Sequence, residues 1–167
     1  MYYISCFVIY SILGYIFETI LFFIFNINIE SGFLLGPWTI IYGFGFLIVN
    51  YLFCLIKKKF NNKYLIYILL FIISTFSLSL VELIGGLLLE NFFGVIWWNY
   101  DNYFLHIGKY ICIWISFIWG FLAIINIIVF KPFFDILIKL IPRNYFILLF
   151  FILLIDFILS TILHIIL

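Results

Sequence analysis

The chain has 167 residues, 69% of them hydrophobic and 9% charged, with a net charge of +1. A soluble domain carries about 25% charged residues, and at a mean hydropathy of +1.39 this chain has more apolar side chain than a core of its size can hide. These values exclude a water-soluble protein and leave no field to attract nucleic acid, so lipid is the expected solvent.

The first apolar run, residues 2–25, exceeds the roughly 20 residues that a spanning helix needs. No basic residue precedes it and no small-residue cleavage site follows, so it is predicted to be a retained helix, not a signal peptide. A polar link, residues 26–31, leads into residues 32–45, which hold four of the ten glycines: Gly32, Gly36, Gly43 and Gly45. With Pro37 and Tyr42 among otherwise apolar neighbours, this stretch is predicted to be a tight loop at membrane level, running into a helix that starts at Pro37. Backbone at that depth has to be covered by protein or line a polar cavity. The second helix is expected over about 38–56 and ends in the basic run Lys57, Lys58, Lys59 and Lys63. The third apolar segment, 64–93, is long: thirty residues span about 45 Å against a hydrocarbon core of about 30 Å. It either bends at Gly85 and Gly86 or carries its last turns into the headgroups. A loop over 94–108 follows, then a fourth helix over about 109–130 that Lys131 and Pro132 are predicted to end. Residues 133–141 read as a short interfacial helix and 145–167 as a fifth span. The expected fold is all-α: one integral membrane domain over 1–167, a polytopic bundle of about five helices with no repeat, linker or soluble domain.

Basic residues set orientation, because cytoplasmic loops are enriched in them. Seven of the eight, all but Lys109, fall on one side if the chain alternates. That side is expected to be the cytoplasm of a bacterial cell, with the N-terminus inside, the C-terminus outside, and the glycine loop and the loop around Trp97 and Trp98 facing outward.

Four carboxylates interrupt apolar runs: Glu18, Glu82, Glu90 and Asp156. Acids at such depth are costly and are functional candidates, although each also fits a structural hydrogen bond between helices. Glu82, Gly86 and Glu90 follow one helix face at four-residue spacing, and so do Asp156, Ser160 and His164, read as a polar seam or a proton path. Glu90 alone reads as solvated. The loop residues Trp97, Trp98, Asn99, Tyr100, His106 and Lys109 fit either an interfacial belt or the rim of a pocket. Lys109, the only outward basic residue, and His106 are the counter-charges available to Glu18, Glu82 and Glu90, and Lys109 is expected to pair with Glu18 or Glu82. Ser116 and Gly120 form a small-residue pair that points to helix packing. The three cysteines, Cys6, Cys54 and Cys112, read as buried thiols without metal spacing. No phosphate loop, zinc-protease or serine-hydrolase motif is present. No catalytic residue, metal or cofactor is therefore expected, and an embedded enzyme using Glu18 or Glu82 as acid or base is the weakest functional reading.

The order of motifs resembles the ABC-transporter type IV permeases of bacteria. The resemblance rests on Gly14-Tyr15-Ile16-Phe17-Glu18, on Gly32 to Pro37 with Ile41-Tyr42-Gly43-Phe44-Gly45, and on Glu82 and Glu90 ahead of Trp97-Trp98-Asn99-Tyr100. Gly108-Lys109 and Lys131-Pro132 complete it, so that it covers about 7–132 and leaves the last helix outside. Three positions depart from the pattern: Ser31 stands where the family has arginine, Ile40 where it has a second proline, and Asn99 where it has aspartate. The resemblance implies a transport permease component with an outward-facing polar pocket, working with a separate ATP-binding subunit, and the small number of helices suggests a homo-oligomer. The alternative is a membrane scaffold or envelope assembly factor without transport.

Overall fold

The computed structural model describes residues 1–24 and 33–166. The link at 26–31 and Gly32 lie outside the described residues. The helices are α1 (Tyr2–Ile24), α2 (Ile40–Lys59), α3 (Lys63–Phe93), α4 (Ile113–Ile125), α5 (Lys131–Leu140) and α6 (Arg143–Ile166). Five segments are long and apolar enough to cross a membrane, the fourth running without a break from Ile113 to Leu140. The fold is the expected all-α membrane bundle, with one addition: two-residue strands β1 (His106–Ile107) and β2 (Ile111–Cys112) pair antiparallel around Gly108. At most 33% of any span is buried within the protein. The remaining helix surface is rich in Phe, Ile and Leu, as in Phe23, Phe76 and Phe92, which is the surface that lipid requires.

Several boundaries differ from the sequence reading. The helix expected from Pro37 begins at Ile40, and Gly43 and Gly45 lie inside it. Residues 33–39 form the loop, held by a tight bond from the Trp38 N–H to the Gly36 carbonyl (2.9 Å). Lys131 and Pro132 do not end the fourth helix. A π-helical turn, Asn126–Phe130, precedes them, with the Lys131 N–H bonded to the Asn126 carbonyl. Proline lacks an N–H, and in a regular helix its ring would meet the carbonyl four residues back. The widened turn lies directly ahead of Pro132, and the helix passes through. The segment read as a separate interfacial helix is thus part of a continuous span. α3 is likewise unbroken at Gly85 and Gly86. It starts at the Asn62 side chain, which accepts from the N–H groups of Tyr64 and Leu65, and stops at Gly94 in the left-handed conformation (φ 66°) that glycine adopts without a Cβ penalty.

The chain forms two compact units, one of residues 1–44 with 137–167 and one of residues 45–136. In the first, α1 packs against α6, and the loop inserts Leu34 and Trp38 beside Leu153. In the second, α3 packs along α4, with Val49 and Ile56 of α2 completing a core of Leu70, Leu78, Ala123 and Ile127. The seam there is made of small residues. Ser79 donates to Ser116 (2.6 Å), and a Cβ at Gly120 would collide with Thr75 and Phe71. Ser116 and Gly120 therefore serve packing, as their spacing suggested.

Candidate functional site

In the second unit, loop 94–112 folds back over the end of α3. Glu82 is only 5% exposed and accepts from the Tyr100 hydroxyl (2.6 Å) and the Trp119 indole N–H (3.1 Å). A buried carboxylate needs such donors, since each unmet oxygen would be left in an apolar medium. Two turns further along, Glu90 accepts from the Lys109 ammonium (2.5 Å) and from the Tyr110 hydroxyl (2.7 Å). Gly86 sits between the two acids. A Cβ there would lie 2.5 Å from the Tyr110 ring, so the glycine lets that ring lie flat on α3 and brings its hydroxyl to Glu90. Trp98 meets Tyr110 edge-on, with ring centroids 6.1 Å apart. The ring of Tyr110 is 3% exposed, and burial, followed by the hydrogen bond and charge of Glu90 and the charge of Asp101, raises its phenol to about pKa 12. The hydrogen bond with Glu90, then its charge, raises Lys109 above the ordinary lysine value.

This geometry corrects one expectation. The ion-pair partner of Lys109 is Glu90, the acid read from the sequence as solvated, and not Glu82 or Glu18. Of the other loop residues, Asn99 caps a turn by accepting from the Asp101 N–H (2.8 Å), and His106 is exposed with Nδ1 2.9 Å from the Tyr103 carbonyl oxygen. Trp97 is half-buried. Tyr110 and Trp119 were not among the candidates. Gly86 was the one sequence signal of this contact, since a glycine on a helix face permits close approach, but it does not name Tyr110.

In the first unit the same device recurs. Glu18 accepts from the Thr39 hydroxyl (3.1 Å) and from Tyr42, and Tyr42 lies against Gly14, one turn before Glu18, where a Cβ would collide with its ring. The glycine loop is held by α6. Asp156 accepts from the Gly36 N–H (2.9 Å) and the Trp38 indole N–H (2.7 Å), while Ser160 accepts from the Leu35 N–H (3.1 Å). His164 stacks on Phe33, with Nε2 3.3 Å from the Phe33 carbonyl oxygen. The polar seam of α6 is thus the receptor for residues 33–38. Pro37 is exposed beside it.

No group of three or more His, Cys, Asp or Glu side chains able to hold a metal occurs among the described residues. Five long apolar helices with hydrogen-bonded carboxylates on them are the build of a polytopic membrane protein. Residues 5–165 match the family described as "Putative ABC-transporter type IV", and the chain belongs to that family. The match takes in α6 and Asp156, which the motif resemblance had left out. No curated protein and no solved structure matches the chain.

Proposed function

We propose that the chain is the permease component of an ATP-driven transporter and that loop 94–112 with the end of α3 forms its substrate-contacting polar pocket on the outer face. The observation that carries this reading is the gathering of Glu82, Glu90, Tyr100 and Lys109 at one end of one helix pair, with Trp97, Trp98, Asn99 and His106 in the same loop. Charged and hydrogen-bonding groups in a span are expensive and persist where a polar solute is handled. The basic residues put this loop outside and residues 57–63 and 139–143 in the cytoplasm, where a separate ATP-binding subunit would dock. The lipid-facing surfaces leave room for further copies of the chain.

Affinity purification of the intact chain from its membrane in mild detergent tests the proposal. A co-purifying subunit that hydrolyses ATP is expected. Recovery of the chain with envelope proteins that do not hydrolyse ATP would replace it with the scaffold reading.

A further inference from the structure

A cleft of about 620 Å³ opens within the first unit, where α1 begins and α5 turns into α6. Tyr2 and Ser5 line one side and residues 138–143 the other. Its lining includes two cations, Lys139 and Arg143, and no acid. The ion pairs among the described residues are Lys109–Glu90 and Lys131–Asp135, so among these residues neither cation of the cleft has an acidic partner, and the only acid of α5 is already taken. Two helices, α1 and α6, also start at the cleft, and their first N–H groups lack helical acceptors and carry the positive end of the helix dipole. The C-terminal carbonyls of α5 oppose this, and Lys139 in its last turn offsets them. Because the spans begin here, the cleft lies where hydrocarbon gives way to water, and Leu140 in its lining and Tyr3 next to it in the chain are left exposed.

We infer that this cleft binds a phosphate group, carried on the headgroup of an anionic phospholipid or free in solution. Arginine offers two parallel N–H donors to two phosphate oxygens, and lysine adds a mobile point charge. Lys139 and Arg143 provide that pair at one opening, whose concave shape admits a headgroup-sized anion.

The intact protein in phosphatidylcholine nanodiscs, with and without phosphatidylglycerol, tests the inference by native mass spectrometry of retained lipid, with inorganic phosphate titrated by thermal shift in the phosphatidylcholine discs. One phosphatidylglycerol retained per chain would identify the lipid as the source, and a saturable shift with inorganic phosphate alone would identify the free anion. In either case Lys139→Gln with Arg143→Gln should weaken binding about thirtyfold, the combined weight of two cations at a membrane surface. Lys139→Arg should keep it. Lys57→Gln with Lys58→Gln removes equal charge from the other unit and should leave it near the wild-type value. Equal losses in the two double variants, or binding of neither probe, would overturn the inference. All these side chains are exposed, so the variants keep the fold.

Discussion

Glu90 and Lys109 are both partly open to solvent, with side-chain exposures of 29% and 45%, and ion pairs at that exposure contribute little on their own. What sets this one apart is its buried neighbour Tyr110, bonded to the same carboxylate. Lys109 is held above the ordinary 10.5, chiefly by its hydrogen bond with Glu90. Tyr110 is raised from 10.0 to about 12, chiefly by burial. Both shifts act in one direction. As pH climbs past the ordinary values, the unfolded chain releases protons that the folded chain keeps, and stability falls. The contribution is complete below pH 10.0 and lost by about 12. Thermal unfolding in detergent from neutral to alkaline pH should therefore decline less steeply for Tyr110→Phe and Lys109→Met than for the wild type. Three parallel curves would refute the assignment. At neutral pH, Lys109→Met should couple with Glu90→Gln in a double-mutant cycle and not with Glu82→Gln.

At the scale of the elements, the glycines separate into classes that the sequence could not distinguish. A Cβ at Gly36 would collide with Trp38 and lie 3.0 Å from an Asp156 oxygen, and one at Gly43 would lie 2.6 Å from the Ser11 hydroxyl. At Gly45 the nearest atom is the Leu78 Cδ2 at 3.3 Å, the end of a flexible side chain. Gly36→Ala and Gly43→Ala should therefore lower the melting temperature and folded yield, by about 1–3 kcal/mol as overpacked sites do, while Gly45→Ala should stay close to wild type. Equal behaviour of the three would show that close contact with neighbouring side chains is not what selects these glycines. Helix limits set by local chemistry, such as the Asn62 cap and the Gly94 stop, were legible within a residue or so. The start of α2 was not, because the Trp38 indole is bonded to Asp156, 118 positions away. The partner of Lys109 was missed for another reason. Counting helical rise gives depth along an axis but not direction around it, and Glu82 meets Trp119 while Glu90 meets Lys109. The passage through Pro132 was hidden because a π turn has no composition of its own.

For the whole molecule, the alternation of five spans, with six cations at span ends on one side and Lys131 inside the fourth span, leads to a topology that fusions can read. A reporter after Lys59 or Lys139 should be cytoplasmic, and one inserted within 99–102 should be external. An external signal after Lys59 would invert the chain and move the proposed pocket to the opposite face. Family membership and the five apolar spans were both legible from composition and motif order, since they depend on what the chain contains. How each acid is satisfied depends on contacts between helices, which no single segment encodes.

The bond between Gly36 and Asp156 also has a meaning in time. The two residues are 120 positions apart, and ribosomes add roughly 5–20 residues per second. The loop after the first helix therefore waits about 6–24 s of synthesis before the helix that receives it exists. During that interval Trp38 and the Leu35 and Gly36 amides lack their final acceptors. The acceptors they take in the folded protein, Asp156 and Ser160, come only with α6.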